Sequence, residues 1–198
     1  MNRILALNPG ATSTKFAVFD DEQPILQRTV EHQGSELQGF ARICDQANYR
    51  LELITAALDA ESIPLSSLHA VVGRGGLLKP LIGGTYGVSE AMLADLRAGA
   101  RGEHASNLGG IIADAFAQPL GITAFIVDPV SVDEMEPEAR LSGHPEVPRN
   151  SLSHALNSKA VARHAAAEVG KSYAELNLVI AHLGSGISVT AHRYGRMI

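Results

Sequence analysis

One pattern occurs twice in this sequence and narrows the possible folds more than any other feature. An apolar strand, a loop of small residues and a second apolar strand fill residues 3–20 and again residues 176–192. In the first copy the loop is Asn8-Pro9-Gly10-Ala11-Thr12-Ser13-Thr14 and Lys15 opens the second strand; in the second copy the loop is His182-Leu183-Gly184-Ser185-Gly186. Small residues let backbone N–H groups approach an anion closely. Asn8, Thr12, Ser13 and Thr14 add side-chain donors or contacts to metal-bound water, and Lys15 adds a cation. Both loops have the composition of a phosphate clamp, and a repeated clamp suggests two similar domains facing each other across a nucleotide.

The first loop is not a Walker P-loop, because the G-x-x-x-x-G-K-[ST] spacing is missing. It is not a Rossmann fingerprint either, since Gly10 stands alone and a strand follows where a helix is needed. The same residue types also make ordinary hairpin turns. Composition bounds the rest. With 45% hydrophobic residues in 198, the chain can bury a real core. A net charge of −5 without a basic run argues against a nucleic-acid surface. No apolar run reaches the roughly 18 residues of a membrane span and the N-terminus lacks the regions of a signal peptide, so a cytoplasmic protein is expected. A single cysteine, Cys44, excludes an internal disulfide and falls on an apolar helical face as a packing residue.

After the hairpin, residues 24–31 read as a third strand, so three antiparallel strands open the chain. Apolar residues at 37, 40, 41, 44, 47, 51, 54 and 58 then recur at helical spacing, with Ser35 and Gln38 as a capping box. A buried strand over 68–72 runs into Gly73-Arg74-Gly75-Gly76. Ser89 caps a helix reaching Leu96, and another helix covers 105–117. A strand over 122–127 delivers Asp128-Pro129 at its carboxyl end, where ligands gather in α/β sheets. Residues 131–149, rich in Pro and Glu, read as an irregular surface connection before a helix over 151–169 that Gly170 stops.

Six motifs in order carry a family resemblance: Asn8-Pro9-Gly10 through Ser13-Thr14-Lys15, Val72-Gly73-Arg74-Gly75-Gly76, Gly102-Glu103-His104-Ala105-Ser106-Asn107, Val127-Asp128-Pro129, Ser153-His154-Ala155-Leu156-Asn157, and His182-Leu183-Gly184-Ser185-Gly186. Together they resemble the acetate, propionate and butyrate kinase family of the actin-like ATPase superfamily. The resemblance implies an α/β, ribonuclease H-like domain with a mixed sheet flanked by helices over residues 1–173, and over 174–198 the first hairpin of a second, similar domain. It implies reversible phosphoryl transfer from ATP to a short carboxylate, giving ADP and an acyl phosphate, with Mg²⁺.

By the same resemblance Arg74, His154 and Asp128 are the catalytic residues. Arg74 would grip a carboxylate or phosphoryl group with two parallel hydrogen bonds. His154 would contact the transferred phosphoryl group, and Asp128 would hold the metal's water shell and orient an arginine. Asn8, Ser13, Thr14, Lys15, His182, Gly184, Ser185 and Gly186 match the nucleotide-binding positions, with Asn8 and Asp128 toward the metal. His104 and Asn107 match the substrate end with Gly75 and Gly76, whose missing side chains would leave room for butyrate or a branched acid.

Read without the family, Arg74 still points to a purpose, because a charged residue ends a buried strand, with a surface arginine in a glycine turn as the lesser alternative; His154 is equally a helix-start histidine and Asp128 equally an N-cap or turn residue before Pro129. Histidines 32, 69, 144, 164 and 192 match nothing and read as solvated or structural. Ser185, Ser153, Ala11 and Ser158 depart from the family pattern. The family also runs well beyond residue 198, so the adenosine pocket and the surfaces for homo-oligomer formation fall outside this sequence and the chain alone is expected to be inactive. The rival reading is an actin-like nucleotide-binding or scaffold module that transfers no phosphate. Arg74 and His154 argue against it, because a scaffold needs neither at an acyl-phosphate position.

Overall fold

A computed structural model describes residues 1–184 and 186–198. β1 (Arg3–Pro9), β2 (Ser13–Asp20) and β3 (Gln23–Glu31) form the expected antiparallel run. β4 (Ala70–Arg74) adds parallel to β1, β6 (Thr123–Val127) adds parallel to β4, and β5 (Thr85–Gly87) closes antiparallel on β6. The result is a mixed six-stranded sheet of order β3-β2-β1-β4-β6-β5. A separate antiparallel sheet holds β7 (Asn177–Leu183), β8 (Ile187–Arg193) and β9 (Arg196–Met197).

The chain packs as two compact units, the first made of Met1–Leu78 and Thr85–Val127, the second of Lys79–Gly84 and Asp128–Ile198. In the first, alternate residues of the central strands point into one core. Leu5, Leu7, Phe16, Val18 and Val71 meet Ile54 and Leu58 of α2 (Ala47–Ala60) and Leu108, Ile112 and Phe116 of α4 (Asn107–Ala117). Each such side chain contributes about 1.5–3 kcal/mol by leaving water. α4 crosses β4 at backbone contact distance: a Cβ on Gly73 would stand 2.1 Å from the Gly109 carbonyl oxygen, and one on Gly109 would stand 2.0 Å from that of Arg74. Two glycines weaken an isolated helix. Here they permit the approach that seats α4 directly beneath the end of β4.

The long helix expected from residue 37 is broken. Gln33 and Glu36 cap a single turn, α1 (Gly34–Leu37), and the chain re-enters helix only through a 3₁₀ turn at Ile43–Gln46. Between them Arg42 is drawn away to Glu103 (2.7 Å) and the Arg97 carbonyl (2.7 Å), contacts that a continuous helix would forgo. α3 (Glu90–Ala98) begins at its expected cap, with Ser89 Oγ accepting from the Met92 N–H, and ends at Gly99 with φ +63°.

In the second unit α5 (Ala155–Glu168) starts later than expected, with His154 at its N-cap, and sets Ala155, Ser158, Ala162 and Ala166 along one buried face. Ala162 and Ala166 pack with Tyr173 and Ile180. The connection over 131–149 is not wholly superficial, because Val132 and Glu134 are buried. Glu134 pairs with Lys159 at 2.8 Å and also accepts from the N–H groups of Gly83 (2.9 Å) and Met197 (2.7 Å), while Lys159 Nζ donates to the Gly195 carbonyl at 3.3 Å. Burial alone would raise the Glu134 pKa. The bonds from Lys159, Met197 and Gly83 outweigh it and hold the carboxyl below its usual range.

Candidate functional site

The first unit presents two groups of the expected residues, both at ends of its central strands. The Asn8–Lys15 stretch closes β1 onto β2, with Asn8 opposite Lys15 and Pro9 opposite Thr14, so β1 persists through Pro9 and the true turn is shorter than the sequence suggested. Asn8, Ala11, Thr12 and Lys15 are exposed and Ser13 is half-buried. Gly10 N–H donates to the Ser13 carbonyl at 2.7 Å, which tightens the turn. Thr14 does not present its hydroxyl to solvent. It is 1% exposed, and its Oγ1 lies 2.9 Å from Arg50 NH1 and 2.8 Å from His32 Nε2. Thr14 therefore braces the loop from beneath, a correction to its expected side-chain contact with nucleotide.

The second group follows β4. Arg74 is half-buried, and burial lowers its pKa without bringing deprotonation near physiological pH. His104 lies near enough for the Arg74 charge to add to surrounding protein in lowering the imidazole pKa. The Ser106 N–H donates to His104 Nδ1 at 3.1 Å, so the neutral ring carries its proton on Nε2. Asn107 is buried and committed elsewhere: Oδ1 accepts from the Leu77 N–H at 2.8 Å and Nδ2 donates to the Gly102 carbonyl at 3.0 Å. It shapes the turn after Arg74. Gly76 opens no room for substrate, since a Cβ there would lie 2.5 Å from Asn107 Oδ1 and 2.6 Å from its Cα. That glycine is small because α4 begins against it. Gly75 is buried.

In the second unit Asp128 follows the last residue of β6 with φ +37°, a strained value for a residue with a side chain. Its side chain has no exposed surface: Oδ1 accepts from the Gly84 N–H at 2.8 Å and Oδ2 from Arg163 at 3.4 Å. So placed, Asp128 pairs with Arg163 and, with its side chain covered, makes no direct contact with an ion from this position. His154 stacks on His182 with ring centroids 3.9 Å apart and planes inclined by 19°. His182 Nδ1 donates to Asn157 Oδ1 at 2.9 Å, which leaves Nε2 as the unprotonated nitrogen of the neutral ring. Nε2 lies 3.7 Å from where a Cβ on Gly184 would stand, so the second loop begins directly against that ring. Gly184 and Gly186 are exposed, and the expectation at Ser185 lies outside the described residues.

Among the described residues no three His, Cys, Asp or Glu side chains gather as a metal cage. Mg²⁺ on a nucleotide needs only one or two protein oxygens beside phosphates and water. Exposed Asn8 fits that need, whereas Asp128, whose side chain has no exposed surface, does not offer an oxygen to an ion.

Butyrate kinase 2 of Clostridium acetobutylicum is 53% identical over 196 residues, which cover 99% of this chain and 55% of that protein. By sequence, the chain belongs to the family of the butyrate kinases. Butyrate kinase 1 of the same organism is 52% identical over 198 residues, covering all of this chain and 56% of its own length. The chain thus spans about half the length of the curated relatives it matches. Two solved structures show the fold: Porphyromonas gingivalis acetate kinase (TM-score 0.72, 17% identical) and a Francisella tularensis propionate kinase (TM-score 0.60, 19% identical), each matched over all of this chain and 56% of its own. No family model matches.

The sequence passed over two residues that this geometry brings forward. Of the two readings for His32, solvated or structural, the structural one holds: it is buried against Thr14, and its backbone N–H donates to the Thr12 carbonyl at 2.8 Å. Arg50 belongs to none of the sequence motifs. Its buried guanidinium reaches the first loop from below, and the one signal available was a cation close to the apolar stripe of α2.

Proposed function

We propose that this chain forms the carboxylate and phosphoryl side of an ATP-dependent carboxylate kinase. The observation that carries the reading is the match over essentially the whole chain to two proteins named butyrate kinase. An ionised carboxylate oxygen attacks the γ-phosphorus, the bond to the bridging oxygen breaks, and ADP leaves with the electron pair. No proton changes hands, so no general base is required. Catalysis is then positioning and charge neutralisation. Arg74 grips the carboxylate or the transferring group with His104 beside it, and His154 donates to the phosphoryl oxygens. Loop N–H groups, Asn8, Ser13 and Lys15 are assigned to nucleotide phosphates, as are the backbone N–H groups of the loop His182, Gly184, Ser185 and Gly186. Mg²⁺, when bound, neutralises phosphate charge, with Asn8 toward its water shell.

The acid is butyrate or a branched analogue by relationship, since the room argument from Gly76 does not stand. We assign 1–173 to one domain and 174–198 to the opening hairpin of a second. In support, one face of that hairpin exposes Val179, Leu183, Ile187 and Val189, as a strand pair awaiting a covering layer would. Adenosine binding and homo-oligomer formation belong to that second domain, and the location is the cytoplasm. No helix among the described residues is long and apolar enough to cross a membrane.

The test is acyl phosphate formation from butyrate and Mg²⁺-ATP. A whole protein containing this sequence is expected to turn over, the 198 residues alone are not, and Arg74→Lys in the whole protein should lose about 2–4 kcal/mol of transition-state stabilisation. An unchanged kcat/KM in that variant removes Arg74 from the mechanism.

A further inference from the structure

We propose that Arg50 is a positioning residue for phosphate: a buried guanidinium beneath the first loop that turns loop carbonyls inward and lends its charge to an anion on the loop's outer side. The inference rests on reading that loop as a phosphate clamp.

Arg50 is 1% exposed. NH1 donates to the carbonyls of Gly10 (2.8 Å) and Ser13 (3.2 Å) and to Thr14 Oγ1 (2.9 Å), while Nε and NH2 both donate to Gln46 Oε1, at 3.2 and 2.8 Å. Every acceptor is neutral. Among the described residues no carboxylate stands within salt-bridge distance, although burying a guanidinium ordinarily demands one. Holding two carbonyls and a hydroxyl needs donors, not a charge. A neutral amide would do that work without the desolvation penalty, so the charge itself asks for a role.

The loop geometry supplies one. In a trans peptide the C=O and the following N–H point in opposite directions. With the Gly10 carbonyl drawn down onto Arg50, the Ala11 N–H is directed to the opposite side, where Ala11, Thr12 and Lys15 are exposed. The guanidinium thus fixes the peptide with its N–H outward and adds a charge that water cannot screen, because the space around it is protein. His32 supports the arrangement without competing. Thr14 Oγ1 accepts from Arg50 and so passes its own hydrogen to His32 Nε2, and burial followed by the Arg50 charge keeps that imidazole neutral.

Gln46→Glu isolates the charge. It preserves both hydrogen bonds to Arg50 and places a carboxylate beside it, cancelling the field while leaving the brace. Inorganic phosphate titrated into the 198-residue chain should move the Ala11 amide resonance. In Gln46→Glu, the melting temperature should be equal or higher and the phosphate-free loop resonances unmoved, while phosphate binds about tenfold more weakly. If that variant does not fold, Arg50→Gln, which retains donors but no charge, should show the same loss. Wild-type affinity in a folded, neutralised variant overturns the proposal and leaves the clamp standing. A wild-type Ala11 amide that ignores phosphate overturns the clamp and this inference with it.

Discussion

The two hairpins share a sequence pattern and differ in what surrounds them. β1 and β2 lie inside a six-stranded sheet with partners on both edges, and their inward residues Leu5, Leu7, Phe16 and Val18 are at most 3% exposed. β7 and β8 bury only one face. Ile180 and His192 point inward, while Val179 (74% exposed), Leu183 (73%), Ile187 (71%) and Val189 (63%) stand outward in register. The same local code therefore specifies strand, loop and strand in both places. Burial comes from the layers that other segments provide.

The sharpest test of this contrast removes an apolar side chain from each hairpin. Leu5→Ala should cost about 2–5 kcal/mol in urea unfolding, whereas Val179→Ser should stay within about 0.5 kcal/mol. A comparable loss from Val179→Ser would show that its face is covered after all. Next comes the backbone. Gly73→Ala must force β4 from α4 and should cost about 1–3 kcal/mol, while Gly186→Ala, which meets nothing within 4 Å, should leave the melting temperature unmoved.

A smaller effect comes from one buried imidazole in each region. Burial, aided by a nearby Arg50 for His32 and Lys159 for His192, lowers both pKa values below the usual 6.5. The unfolded chain therefore binds protons first as pH falls, so stability is full above about pH 6.5 and declines toward the lower folded values. His192 sits between Tyr173 OH (2.6 Å) and Thr190 Oγ1 (2.7 Å), and burial pushes the Tyr173 pKa up to about 12. His192→Gln should flatten the acid dependence of amide exchange in β7 and β8 and leave that of β1 and β2 intact. The least effect is colloidal: Ile187→Ser with Val189→Ser should reduce self-association in sedimentation without changing the fold.

Strand order along the chain, the Ser89 cap and the stop at Gly170 were legible, because each depends on neighbours in sequence. The break after Leu37 was not. It depends on Arg42 meeting Glu103, 61 positions away, a contact that periodicity cannot register. At the candidate site the motifs marked Arg74, Asp128, His154 and His182 as unusual, but not what each side chain does. Gly76 looked like vacant space and is occupied by Asn107; Thr14 looked like a ligand and is a brace. Residue type announces chemistry. Only the partner decides whether that chemistry faces outward.

The Lys159–Glu134 pair also has a history in time. Its carboxylate is completed by the N–H of Met197, 63 positions after Glu134, and its ammonium by the carbonyl of Gly195, 36 positions after Lys159. The six-stranded sheet needs nothing beyond Val127. During synthesis the first unit has all its strands while Glu134 still lacks a bond it is built to receive. A vectorially made chain therefore completes the sheet while this acid stays half-satisfied, until Met197 has been added.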